Sequence, residues 1–338
     1  MISVIVPAYN AEDCVEASVK SILNSTFKDF ELIIVNDGST DRTAEICNGF
    51  EATDHRVHVI HQMNAGVADA RNQGLNASQG DFITFVDADD LIHPTMLDVL
   101  MSAISSGDFD MSMVLHRRVE EDERERYLDC RTEELGDSRP SVLSQEDYVS
   151  AFFQDRQGFY TGPGHKLFKR ELLLDGSHAF LKFKPISAED TDWLIRVSLR
   201  MNKCILVPLD LYYYVMRSSS LTHAQSERGI NSVIAGRLQT FYSFLDFLPE
   251  DKPHYKTMCL DTLYRKIPVY SYLANGTSFQ GVVRTYSKDI YKGTFKEYLK
   301  SPVDLKTKAK NIIYYHCPWV FRSVVCLSEL VHKCKIHA

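Results

Sequence analysis

The first hundred residues are short of positive charge: 5 Lys and Arg stand against 16 Asp and Glu. Such a surface repels a phosphate backbone, which excludes nucleic acid as its partner. The eight cysteines are scattered without one Cys-x-x-Cys pair, so zinc-ribbon and redox spacings are absent. No Gly-x-Gly-x-x-Gly follows the first apolar run, and no Gly-Lys-Ser/Thr occurs. Those absences weigh against a dinucleotide oxidoreductase and a P-loop ATPase. A long hydrophobic run is also missing. The stretch Ile312 to Val331 comes nearest, but it carries His316, Pro318, Arg322 and Glu329. A mid-span Arg costs ~2.5–3.5 kcal/mol, so a membrane crossing is not expected. No basic stretch precedes Ile2 to Val6, and that run is too short for a signal-peptide core. The expected compartment is a reducing cytoplasm, with the inner face of the cell membrane as a candidate site of action.

What is present is ordinary for a soluble chain of about two domains. Of the 338 residues, 44% are hydrophobic and 25% charged, with a net charge of −7. Charge changes sign along the chain, because residues 251–338 hold 15 basic and 6 acidic side chains. A basic tail suits an anionic membrane or a nucleic acid. A solvated basic face is an equal alternative.

The first half alternates strand and helix patterns. Ile2 to Val6, Leu32 to Val35, Val57 to Ile60 and Phe82 to Val86 read as buried strands. Helical spacing links them: Val15, Val19, Ile22 and Leu23, then Thr40-Asp41 towards Phe50, then Val67 to Leu75, with Pro94 opening a fourth helix. Continuous apolar strands alternating with helices predict an α/β fold, a mostly parallel sheet covered on both faces. Further on, Met111 to Leu115 is a fifth strand and the charge-rich stretch Arg117 to Arg139 a surface loop or hairpin. Gln145 to Phe153 is a helix after Ser144, and Lys203 to Val207 and Leu211 to Val215 are strands either side of Pro208. Helical patterns dominate from Ser226 onwards, including Ile234 to Leu248 and Leu260 to Leu273.

In an open parallel sheet, ligands collect at the carboxyl ends of the strands. There stand Pro7-Ala8-Tyr9-Asn10, Asn36-Asp37-Gly38-Ser39 and Asp87-Ala88-Asp89-Asp90. Like charges about 4 Å apart repel by ~4 kcal/mol at an effective dielectric near 20, so Asp87 beside Asp89 calls for a cation. Mg²⁺ and Mn²⁺ take one or two carboxylates plus substrate phosphates. For Asp90, a place at a helix N-terminus is as good an explanation. Asp37 suits a base or ribose by position, although a turn role competes, and Gly38 serves a turn either way. Tyr9 is placed to stack on a flat base or simply to pack. Asn64-Ala65-Gly66 with Ala70-Arg71-Asn72-x-Gly74 opens a helix, whose N-terminus is an anion site reinforced by Arg71. An Arg71 salt bridge to the acidic front is the alternative.

In order and spacing, these four clusters resemble the signature of glycosyltransferase family 2. The resemblance implies a GT-A fold, a nucleotide-diphosphate sugar donor (a UDP-sugar first of all), a divalent cation (Mn²⁺ or Mg²⁺), and inversion at the anomeric carbon. Under it, Pro7, Asn10, Asn64, Gly66 and Ala88 belong to donor-binding segments. Tyr9 and Asp37 contact the nucleobase region, Arg71 the nucleotide or its phosphates, and Asp87 the ribose or metal shell. Asp89 binds the metal. Gly164 to Leu172 is similar to a segment near the acceptor, and Glu189-Asp190 resembles an acidic pair supplying the catalytic base, Asp190 first. Without the four upstream clusters, a helix N-terminus would be the favoured account of that pair. Tyr212 to His223 resembles a loop closing on the diphosphate, with Arg217 on phosphate and His223 as a third metal ligand. Many members carry an extra glycine there, whereas this chain has Ser218 and Ser219.

The organisation this implies is a catalytic domain over 1–225 and a mainly helical C-terminal extension over 226–338. The first divides into a nucleotide-sugar half (1–110) and an acceptor half (111–225). The expected acceptor is a glycan or lipid-linked oligosaccharide in surface polysaccharide synthesis. Trp319, Phe321, Val324, Val325 and Leu327 with the basic tail would then allow peripheral membrane contact. A C-terminal helix packed on the catalytic domain competes with that. Two other functions compete. A nucleotidyltransferase making sugar nucleotides wants a glycine-rich basic loop after the first strand, and a non-catalytic scaffold is free to lose Asp89 or Asp190.

Overall fold

The structure, a computed structural model, describes residues 1–128, 139–153, 162–173, 180, 189–217, 245, 247–273 and 280–317. The four apolar runs form parallel strands β1 (Ile2–Ala8), β2 (Phe30–Asp37), β3 (Val57–Gln62) and β4 (Phe82–Phe85). Helices α1 (Val15–Leu23), α2 (Thr43–Thr53) and α3 (Val67–Ala77) connect them. Successive residues point to opposite faces. Ile2, Val4 and Val6 pack with Val15, Val19 and Ile22, whereas Ile5 packs with Leu75, Phe85 and Trp193. Burial on both faces is why these strands read as unbroken apolar runs.

The chain continues through β5 (Leu91–Ile92), α4 (Met96–Ser105), β6 (Met111–Glu120), a 3-10 turn (Glu121–Glu123) and α5 (Arg124–Leu128). Then come β7 (Ser141–Ser144), α6 (Gln145–Phe153), β8 (Lys166–Lys169), α7 (Arg170–Leu173), α8 (Glu189–Ser198) and β9 (Lys203–Met216). The sheet order is β3-β2-β1-β4-β8-β6-β9-β5, with β7 beside β9. Strand β8 runs against both β4 and β6, and β9 runs with β6. Strands β1 to β4, β6 and β9 therefore share one direction, and the sheet is mostly parallel.

Two local expectations are corrected. Arg117 to Glu120 is not loop but the outer part of β6, where Arg117 faces Tyr213 and Glu120 faces Met216 on β9. Its charges point to solvent at the end of the sheet, which hid the strand. The two expected strands around Pro208 are one strand, β9. Met113 faces Leu206 while Leu115 faces Asp210, so the proline lies in a bulge that needs no ladder donor.

The chain divides into two compact units, residues 1–183 with 189–220, and residues 184–188 with 221–338. The second unit contains α9 (Pro253–Leu273), α10 (Gln280–Lys300) and α11 (Leu305–His316). Tyr264 of α9 stacks on Tyr298 of α10 at 3.9 Å, and Asn311 of α11 donates to the Tyr298 hydroxyl at 3.0 Å. Most of Ile234 to Leu248 and the part of Ile312 to Val331 beyond Cys317 lie outside the described residues. Among the described residues no helix is long and apolar enough to cross a membrane.

Candidate active site

Parallel pairing sets the first two motifs side by side, because Ala8 is in register with Asn36. Asn10 takes a left-handed φ of 47°. Its side-chain oxygen accepts from the Thr40 amide at 2.8 Å, and its own amide donates to Ser39 Oγ at 3.0 Å. Asn10 thus fastens the loop after β2. Pro7 lies within β1 opposite Val35 and shapes the strand. Tyr9 is 51% exposed, leaving its ring accessible to a flat ligand.

Asp37 is buried and turned towards its own chain. Oδ1 accepts from Gln62 Nε2 at 2.6 Å and the Ala65 amide at 2.8 Å, and Oδ2 accepts from the Gly66 amide at 2.8 Å. It holds the Asn64–Gly66 approach to α3 in place. Gly38 has φ 69°, and a Cβ there would stand 2.6 Å from the Asn64 amide nitrogen. Only glycine lets these two loops approach.

Helix α3 lies close on β1: a side chain at Gly74 would collide with Ile5. This closeness carries Arg71 into the interior, where it is 5% exposed. Nη2 donates to Asp87 Oδ1 at 2.9 Å and Nη1 to Glu189 Oε1 at 3.2 Å. The guanidinium carbon lies 5.4 Å from the Phe180 ring centroid. Burial works against the charge, but the Asp87 and Glu189 carboxylates outweigh it and hold the guanidinium pKa above its usual value. Arg71 therefore joins α3, the end of β4 and the start of α8. The competing reading of Arg71, a salt bridge to acidic residues, describes its contacts in this structure.

At the end of β4, Asp87 and Asp89 are half-buried and Ala88 is buried. Burial, then the charge of Asp87, pushes the Asp89 carboxyl up to about 6. Asp90 is buried and faces the strands: Tyr212 donates its hydroxyl to Oδ2 at 2.6 Å, and the Val215 amide donates to Oδ1 at 3.0 Å. Asp90 ties β9 to the site. The role of Tyr212 had no signal in the sequence, because its partner lies 122 positions away.

Glu189 and Asp190 open α8 and differ in their partners. Glu189 is paired with Arg71, while Asp190 Oδ1 accepts from the Thr191 amide at 2.6 Å and the Thr191 hydroxyl at 3.3 Å. Burial raises the pKa of both; the Asp190 charge adds to it for Glu189, and Arg71 opposes it for both. Two further features escaped the sequence. His165 adopts φ 54° with its Nε2 2.8 Å from Lys166 Nζ, and Nζ donates to the Gly162 carbonyl at 2.8 Å. Burial pushes Lys166 down to about 7. Asn72 exchanges hydrogen bonds of 2.8 and 3.0 Å with the Phe180 backbone, presenting that ring to Arg71.

Arg217, at the end of β9, lies 3.5 Å from Glu121 Oε1, and its Nη1 is 3.0 Å from Cys14 Sγ. His223 and the serines before it lie outside the described residues. Among the described residues no group of three His, Cys, Asp or Glu side chains is gathered to hold a metal alone. Two carboxylates suit Mg²⁺ or Mn²⁺ that completes its shell with water and phosphate oxygens. The raised Asp89 pKa is the mark of like charges in a poorly solvated place, which a cation relieves. The donor set fits.

Comparison with known proteins finds relatives by sequence and by fold. The sequence model of Glycosyl transferase family 2 matches residues 3–175. The glycosyltransferase GlyA of Streptococcus pneumoniae is 33% identical over 240 residues, covering 69% of this chain and 33% of GlyA. The chain thus spans about a third of the length of that relative. Among solved structures, S. aureus TarS 1-349 in complex with UDP superimposes with TM-score 0.53 at 19% identity, covering 86% of this chain and 91% of that one. The mannosyltransferase PcManGT of Pyrobaculum calidifontis, in complex with GDP-Man and Mn²⁺, gives 0.55 at 17% identity, covering 92% and 86%. The fold is GT-A. With over half its length matched by the family and the motif clusters following the carboxyl ends of neighbouring parallel strands, the chain belongs to glycosyl transferase family 2.

Proposed function

We propose that this chain transfers a hexose or N-acetylhexosamine from a nucleotide-diphosphate sugar, a UDP-sugar first of all, to a hydroxyl of a glycan or lipid-linked acceptor. The carrying observation is the Arg71 bridge, which unites the Asp87–Asp89 segment with the Glu189–Asp190 pair. On this reading the bridge ties the donor-side carboxylates to the acceptor-side pair. The UDP bound by TarS and the GDP-Man bound by PcManGT support a nucleotide-sugar donor.

Each residue has a separate task. Tyr9 offers its exposed ring to the base. Asp89 and Asp87 would hold a divalent cation, which when bound neutralises charge on the departing diphosphate. Asp190 takes the proton of the acceptor hydroxyl as its oxygen bonds to the anomeric carbon. The bond from that carbon to the diphosphate oxygen breaks on the opposite face, so the configuration inverts. Asp190 is the better placed base, because Glu189 is committed to Arg71. Thermal-shift measurement across UDP-, GDP- and dTDP-sugars with Mn²⁺ tests the reading. A UDP-sugar is expected to raise Tm most, and a flat response to every nucleotide sugar would refute the proposal.

A further inference from the structure

We infer that the second unit carries a docking face for an anionic phospholipid bilayer, formed by the exposed side of α11. On α11, Leu305, Ala309 and Ile313 are spaced four apart, so they share one side of the helix. All three are exposed, Leu305 at 82% and Ile313 at 48%. The opposite side is occupied, since Lys308 and Asn311 are buried and bonded to the Leu299 carbonyl and the Tyr298 hydroxyl. Exposed Lys306 and Lys310 border one side of the apolar stripe.

Among the described residues no ion pair engages Lys306 or Lys310. A solvated face accounts for lysines, but not for an apolar stripe of this exposure beside them. Apolar side chains that sink to the acyl boundary while bordering lysines meet anionic headgroups are the mark of a helix lying in the interface. Charge complementarity selects an acidic bilayer over a neutral one, and the apolar stripe selects a bilayer over a nucleic acid. This inference stands apart from the transfer reaction.

Flotation of the full chain with vesicles tests it, using phosphatidylcholine alone or with phosphatidylserine, and no sugar donor. Binding is expected with phosphatidylserine only and to weaken with salt. Each lysine contributes about fivefold to partitioning, so the Lys306→Gln/Lys310→Gln variant is expected to bind about 25-fold more weakly. Leu305→Ser/Ile313→Ser is expected to weaken binding while circular dichroism shows an unchanged melt. Equal binding to both vesicle types, wild-type binding by either variant, or binding to a single-stranded oligonucleotide without vesicle binding would each overturn the inference.

Discussion

The Arg71 guanidinium donates through Nη1 to Glu189 Oε1 at 3.2 Å, although 118 positions separate the two residues. The other arm of the fork reaches Asp87, so one cation balances two carboxylates from different segments. Removing one partner of a buried pair leaves uncompensated charge and costs about 3–5 kcal/mol. Arg71→Met is therefore expected to lower unfolding free energy by about that amount in urea titrations. Arg71→Lys keeps the charge without the fork, so its loss is expected to be smaller yet measurable.

The unequal surroundings of Glu189 and Asp190 separate their roles. Asp190→Asn is expected to reduce kcat by roughly 10²–10⁴ with little change in donor KM, the signature of a lost proton acceptor. Glu189→Gln is expected to reduce stability, because Arg71 loses a charged partner, and to depress kcat less. Kinetics and melts of both variants check this. A larger kcat loss in the Glu189 variant would exchange the assignments.

Gly38 is sensitive for two independent reasons, its positive φ and the Asn64 amide nearby. Gly38→Ala is expected to destabilise by about 1–3 kcal/mol and to weaken donor binding as the Asn64–Gly66 segment shifts. Urea unfolding and nucleotide titration on one preparation measure both effects. Gly49 has open space around it, so Gly49→Ala is the matched control.

Lys166 gives stability a definite pH dependence. In the folded chain burial brings it down to about 7, against the pull of Cys204 and Asp190. In the unfolded chain it titrates near about 10.4. Between these values the unfolded state holds the extra proton, so this contribution to stability rises with pH across that window and is level on either side. Lys166→Met is expected to remove the rise. Unfolding free energies of both proteins at pH 6.5, 8 and 9.5 check it, and parallel curves would contradict it.

Much of the fold was legible in the sequence because β1, β2 and β4 are buried on both faces and leave unbroken apolar runs. Ser144 before Gln145–Phe153 was legible as well: its Oγ accepts from the Asp147 amide at 3.1 Å, a local cap. The outer part of β6 was hidden by its solvent-facing charges, and β9 by Pro208, whose bulge depends on a partner strand. Site residues were legible by type but not by task. Asp37 and Asp90 stand at strand ends like ligand-binding carboxylates, yet their acceptors are filled by Gln62, Gly66, Tyr212 and Val215. Such pairings arise only when distant segments meet.

The most direct test is calorimetric titration of UDP in the presence of Mn²⁺, on the wild type and on Asp89→Ala. Measurable binding that needs the metal is expected for the wild type, with its loss in the variant although the variant melts normally. Equal UDP affinity in both proteins, with or without Mn²⁺, would contradict the role given to the carboxylates at the end of β4.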